Sequence, residues 1–211
     1  MTKKTCVLFD CDGTLFDTGE GIRDCARYAL RGLGVTDFPD DKLNTFIGPS
    51  LFYSFHNTVG LSEQEAMRGV ELYRARYQKT GIDMSHPYEG IAETLAKLHA
   101  DGYILTVASS KPLTMVEYLL NKYGMRKYFA FIAAAEFATV TSDKREYVRK
   151  ASLGERNVMV GDTHFDIEGA HNAGVPAIAV SYGFGARETL AAAEYIAETP
   201  MDVYRIVREN F

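Results

Sequence analysis

Thr5-Cys6-Val7-Leu8-Phe9-Asp10-Cys11-Asp12-Gly13-Thr14-Leu15-Phe16-Asp17 decides how the rest of the chain is read. The run from Thr5 to Phe9 is apolar and rich in strand formers. It is short and stops at a carboxylate, so it reads as a buried strand. Asp12-Gly13 then supplies turn chemistry. A buried strand that ends in acidic residues and a glycine is how open parallel sheets present ligands.

Working outward, the chain first turns helical. Ile22, Cys25, Ala26, Ala29, Leu30 and Leu33 fall at helical spacing over residues 20–33, and Gly34 stops the helix. Pro39 to Gly60 is mixed, with a break at Gly48-Pro49. Ser62 and Glu65 form a capping-box pattern before a helix carrying Ala66, Met67, Val70, Tyr73 and Tyr77, which ends at Gly81. No convincing strand lies between the first strand and residue 87.

After Pro87 the texture changes. Ile91, Leu95 and Leu98 mark a helix closed by Gly102, and Tyr103 to Ala108 is a strand. A helix from Pro112 to Gly124 is followed by a strand over Phe129 to Ala135. Asn157 to Val160 is a strand ended by Gly161-Asp162, with a helix to Gly174 and a strand over Ala177 to Val180. The remainder reads as a helix near Arg187 to Ala193, a short strand at Tyr195-Ile196 and a helix from Met201. Alternating strands and helices imply a parallel sheet with helices on both faces. The expected organisation is an α/β core from residues 1–17 and 87–211, interrupted by an all-helical cap over residues 18–86.

Composition narrows the function classes. The chain has 211 residues, 46% hydrophobic and 24% charged, which is ordinary for a soluble globular protein. Lys and Arg number 23 against 28 Asp and Glu, a net charge of -5. That balance, without a basic block, argues against nucleic acid as a partner. Cys6, Cys11 and Cys25 are odd in number and lack CxxC spacing, so reduced thiols in a cytoplasmic protein are expected. No apolar stretch approaches a membrane span, and the run after Met1-Thr2-Lys3-Lys4 is too short for a signal-peptide core. Monomer and dimer both remain open.

Three strand ends carry reactive groups. They are Asp10 to Asp17, then Ser109-Ser110-Lys111, then Gly161-Asp162-Thr163-His164-Phe165-Asp166. Each alone fits ordinary turn or capping chemistry. Turn chemistry does not predict all three on successive strands. Clustered carboxylates repel and need a cation between them, and an oxygen-rich site suits a hard divalent ion such as Mg2+. A carboxylate can also attack phosphorus to give an acyl phosphate.

These motifs resemble the haloacid dehalogenase-like phosphatase superfamily. Asp10 to Asp17 looks like its first motif, Ser109 its second, Lys144 its third, and Gly161-Asp162 with Asp166 its fourth. The stretch from Asn157 to Gly185 is similar to the phosphoglycolate phosphatase-like branch, which carries a helical cap after the first motif. The resemblance implies a Rossmann-like, doubly wound core and a Mg2+-dependent phosphatase acting on a small-molecule phosphate ester. Asp10 would be nucleophile and metal ligand. Asp12 would protonate the leaving oxygen, activate water and offer its backbone carbonyl to the metal. Ser109 would hold a phosphoryl oxygen with help from the Ser110 N–H, while Gly13 permits the close turn. Lys144 would balance charge, with Arg145 and Lys150 as alternatives. Asp162 would bind the metal, and Asp166 would bind it through water or anchor its ligands.

Arg23, Arg27, Arg68, Arg74 and Arg76 are the basic cap residues that could meet an anionic substrate, and Arg74, between Tyr73 and Tyr77, is favoured. Ile47-Gly48-Pro49-Ser50 resembles a cap-loop element near the entrance. Cys11 is expected to be a buried apolar side chain and His164 a turn or solvent-facing residue. Candidate substrates are 2-phosphoglycolate, a nucleoside 5'-monophosphate and sugar phosphates. A phosphomutase and a receiver-type signalling domain are the competing classes. Asp12 argues against the receiver, because an acid/base beside an aspartyl phosphate would shorten its life.

Overall fold

The computed structural model describes residues 4–136 and 143–211. In chain order its first part comprises β1 (Thr5–Phe9), β2 (Phe16–Asp17), α1 (Gly19–Gly32), α2 (Leu51–Tyr53), α3 (Glu63–Tyr77) and β3 (His86–Pro87). There follow α4 (Ile91–Ala100), β4 (Ile104–Pro112), α5 (Leu113–Lys122), β5 (Phe129–Ala135) and α6 (Lys144–Ala151). The last elements are β6 (Arg156–Gly161), α7 (His164–Asn172), β7 (Ala177–Val180), β8 (Tyr195–Ala197) and α8 (Pro200–Asn210).

Six strands form one sheet in the order β5-β4-β1-β6-β7-β8, and every neighbouring pair is parallel. This is the doubly wound, Rossmann-like α/β architecture. The sheet is buried on both faces because side chains alternate along each strand. Val7, Phe9, Val107, Val158, Val160 and Ile178 enter one apolar cluster, with Leu95 and Leu98 of α4, Val116 and Leu119 of α5 and Val203 and Val207 of α8. Cys6, Leu8, Ala108, Met159 and Ala179 enter the other, with Val148 of α6 and Ile167 and Ala170 of α7. Burying a Leu, Val or Phe contributes about 1.5–3 kcal/mol each.

The strand order sets the site. From β1 the chain builds outward through β4 and β5, then returns to β1's other side with β6. Ligands of such sheets bind at the strands' carboxyl ends where the order reverses. There β1, β4 and β6 end side by side, about 4.8 Å apart from neighbour to neighbour.

Some elements differ from the sequence reading. A two-residue antiparallel pair joins Phe16 to Pro87 and Asp17 to His86, closing the entry and exit of the intervening segment. Two residues are too few to show alternation in sequence. β4 runs on to Pro112, so Ser109 and Lys111 belong to a strand and not to the turn beyond it. The helix α6 has no counterpart in the sequence reading; it is eight residues long, and its buried face is limited to Tyr147, Val148 and Ala151. Arg187–Ala192 is a 3-10 turn and not an α-helix.

Between β2 and β3 the chain holds α1, α2 and α3, 3-10 turns at Asp40–Phe46 and Gly81–Met84, and a π-helical turn at Ser54–Thr58. The capping box of Ser62 and Glu65 starts α3, as expected. Cys25, Ala26 and Ala29 are buried on α1, the helix that packs against α3. Gly21 lies so close to the turn at Gly81 that a Cβ there would sit 2.1 Å from the Gly81 carbonyl oxygen. Gly21→Ala is therefore expected to destabilise the protein by roughly 1–3 kcal/mol, although alanine is the better helix former by about 1 kcal/mol. Urea unfolding of the two proteins measures the difference, and a more stable variant would refute the close packing.

Candidate active site

Asp10 follows β1, Ser109 lies in β4 and Asp162 follows β6. The sheet thus carries residues far apart in sequence to one edge. Gly13 makes the turn possible. Its φ is +78°, and a Cβ there would meet the Asp162 carboxylate at 2.0 Å.

Asp10, Asp162 and Asp166 each place a carboxylate oxygen within 4.8 Å of the others, and all three are buried. Lys144 lies against this group. Its Nζ donates to Asp10 Oδ1 at 2.6 Å and is 2.7 Å from Asp166 Oδ1. Of the three basic candidates, Lys144 is the one whose ammonium meets Asp10; Arg145 pairs with Asp143 at 2.8 Å, and Lys150 is exposed.

Other groups hold the acids in place. Asp166 Oδ2 accepts from the Thr163 N–H at 3.0 Å and from the Thr163 hydroxyl at 2.8 Å, at the start of α7. Asp162 Oδ2 accepts from the Phe184 N–H at 2.8 Å, and the Thr14 hydroxyl donates to Oδ1 at 3.4 Å. Thr14 and Phe184 were not singled out from the sequence. Thr14 follows Gly13 directly, whereas a backbone donor such as Phe184 has no side-chain signal.

The electrostatics are unbalanced. Burial pushes the Asp10 carboxyl up to about 6, against the lowering effect of Lys144. Asp162 is also pushed up, first by burial and then by the Asp166 and Asp10 charges. Burial alone would lower Lys144, but Asp10 and Asp166 outweigh it and hold the ammonium charged. Three buried carboxylates therefore face one buried ammonium. An all-oxygen donor set short of positive charge fits a hard divalent cation.

The Asp12 carboxylate lies outside this group. Lys111 Nζ donates to Asp12 Oδ1 at 2.9 Å and to the Tyr77 hydroxyl oxygen at 2.8 Å. Lys111 was named only as part of a strand end. It lies two residues past Ser109, where the β4–β5 register shifts and regular alternation is broken. Ser109 is buried, and its Oγ accepts from the Lys111 N–H at 3.3 Å. That bond leaves the Ser109 proton for another acceptor.

Asp10, Asp12, Ser109, Ser110, Lys111 and Lys144 line one cleft that is open to solvent. The helical segment supplies Ile22, Phe46, Leu51, Tyr73 and Tyr77 to the opposite wall, with Gly48 and Pro49 at the loop. Of the five arginines considered, Arg74 alone lines the cleft. Arg23 binds Asn44, Arg27 binds Asp40, Arg76 binds Asp24, and Arg68 is exposed. Cys11 is buried, and burial pushes its thiol well up, so it stays un-ionised. His164 is exposed against Phe165, as expected.

A family model for haloacid dehalogenase-like hydrolases matches residues 7–180. A 5'-nucleotidase of Pseudomonas aeruginosa is 36% identical over 192 residues, covering 88% of this chain and 86% of that protein. A phosphoglycolate phosphatase of Vibrio parahaemolyticus is 28% identical over 218 residues, covering 95% of each. The crystal structure of a predicted phosphatase from Clostridium acetobutylicum matches with a TM-score of 0.92 at 32% identity, over 99% of this chain and 100% of that one. Among the described residues no helix is long and apolar enough to cross a membrane.

The Asp10 shift fixes the sign of a pH effect. The folded protein holds the Asp10 proton up to about pH 6, whereas an ordinary Asp releases it near 3.8. The stability contributed by Asp10 is therefore greatest below that lower value and is lost as pH rises through about 6. Asp10→Asn cannot ionise. Relative to that variant, metal-free wild type is expected to lose stability between about pH 4 and pH 6. Urea unfolding across this range tests it, and a constant difference would contradict the burial strain.

Proposed function

The chain belongs to the haloacid dehalogenase-like hydrolase family and is one of its phosphatases, and from that premise we propose that it is a Mg2+-dependent phosphomonoester hydrolase working through an aspartyl phosphate on Asp10. The observation that carries this reading is the placement of Asp10 and Asp12 on one cleft with different partners. Asp10 is bound to Lys144 and Asp12 to Lys111.

In this reading an Asp10 carboxylate oxygen attacks phosphorus while the bond to the leaving oxygen breaks. Asp12 gives its proton to that oxygen. The resulting Asp12 carboxylate then takes a proton from the water that attacks the phosphoryl group, and Asp10 is released. The Ser109 hydroxyl and the Ser110 N–H hold phosphoryl oxygens, with Lys144 offsetting their charge. Asp10, Asp162 and the Asp12 backbone carbonyl would hold Mg2+, with Asp166 as a further anchor. The ion would supply charge neutralisation for the transferring group.

Residues 18–86 act as the cap over the core formed by residues 1–17 and 87–211, and read the leaving group. Their wall of the cleft carries one cation, Arg74, among apolar and aromatic side chains. Arg74 favours a small anionic leaving group such as that of 2-phosphoglycolate. A second reading, a nucleoside 5'-monophosphate, is supported by the Phe46 and Tyr73 rings on the same wall and by the Pseudomonas relative.

Asp10→Asn is expected to abolish Mg2+-dependent hydrolysis of p-nitrophenyl phosphate while the fold persists by circular dichroism. Normal turnover would sink the nucleophile assignment. Asp12→Asn should lower kcat by about 100-fold or more on esters with a basic leaving group. A panel of 2-phosphoglycolate, 5'-nucleotides and sugar phosphates, assayed with and without Mg2+, ranks the substrates. Isomerisation of one sugar phosphate in place of phosphate release would favour a mutase.

A further inference from the structure

Lys111 has no role in the chemistry described above, yet it is among the most enclosed charges of the cleft. Its side chain is 4% exposed. Its ammonium joins two parts of the chain. On one side it binds Asp12 in the β1 turn, and on the other the hydroxyl of Tyr77 at the end of α3. Tyr77 is itself buried and stacks on Tyr73 at 5.6 Å between centroids. Its hydroxyl also lies 3.5 Å from the buried Ser85 Oγ, one residue before β3.

We propose that Lys111 is a positioning residue that aims the Asp12 carboxylate at the leaving oxygen, and that Tyr77 fixes Lys111 for this purpose. The inference rests on the proposed role of Asp12 as proton donor. A lysine has four rotatable side-chain bonds and would by itself define the carboxylate poorly. The Tyr77 hydroxyl supplies a second fixed point, so the ammonium sits between a core loop and a helix of residues 18–86. Asp12 is thereby turned away from Asp10, Asp162 and Asp166, although it lies only two residues from Asp10. The arrangement makes the aim of the acid depend on the seating of α3.

The test compares phenyl phosphate with p-nitrophenyl phosphate, which share a shape but differ in leaving-group basicity. Phenoxide needs the proton, while p-nitrophenoxide leaves with little help. The readout is the ratio of kcat/KM for phenyl over p-nitrophenyl phosphate, which covers only the steps up to phosphoryl transfer. Asp12→Asn sets the scale. Lys111→Met and Tyr77→Phe are expected to lower the ratio, the former by about tenfold, and Lys111→Arg to restore part of it. Tyr77→Phe keeps the ring and its packing, so it serves if Lys111→Met fails to fold. A ratio lowered by Asp12→Asn but unmoved by the Tyr77 and Lys111 variants overturns the positioning role and leaves the Asp12 assignment standing. Equal losses on both esters, with a raised KM, would instead make Lys111 a direct phosphate ligand and also overturn it. A ratio unmoved by Asp12→Asn removes the proton-donor reading and this inference with it.

Discussion

Three buried carboxylates held against one buried ammonium are the constraint on which the rest of this structure depends. Asp10, Asp162 and Asp166 cannot approach one another in a water-poor site without a counter-charge. Lys144 supplies part of it from the first residue of α6. The sheet order, the turn at Gly13 and the start of α7 all serve to bring these groups together. The remaining deficit of positive charge makes the donor set suited to a hard divalent cation.

Neighbouring acids of one loop are divided between two lysines. Asp10 goes to Lys144, and Asp12 goes to Lys111. The division is structural in origin. Cys11 is buried in the apolar core between them and anchors the bend, while Gly13 adopts a backbone conformation that side chains disfavour. Two carboxylates that would otherwise compete for one cation are given separate environments. That separation is the physical basis on which two acids of one short loop can take different chemical roles.

Much of this was legible in the sequence because its signals are local. The strands β1, β6 and β7 are short buried runs, and Asp10 and Asp162 directly follow β1 and β6. The capping box at Ser62 and the helical spacing from Ile22 to Leu33 are equally local. Elements whose stability comes from elsewhere were not legible. The helix α6 is only eight residues long, and its apolar face of Tyr147, Val148 and Ala151 spans little more than one turn. The β2–β3 pair is held by the return of the chain after the helical segment, and neither strand has a pattern of its own.

The sequence by itself determined the α/β class, the helical interruption after the first strand, and the acidic and hydroxyl residues at the strand ends. It did so because alternation, helical period and turn chemistry are set within a few residues. Only the tertiary structure decided which cation meets which carboxylate. Lys144 lies 134 positions from Asp10, and Lys111 lies 99 from Asp12. Nor did spacing decide that Arg74 alone of the arginines considered would line the cleft, or that Phe184 would lend its N–H to Asp162. A charge has no periodicity along a chain. Its partner is chosen by where the packing of the sheet and helices leaves the two groups, and by how little water remains between them.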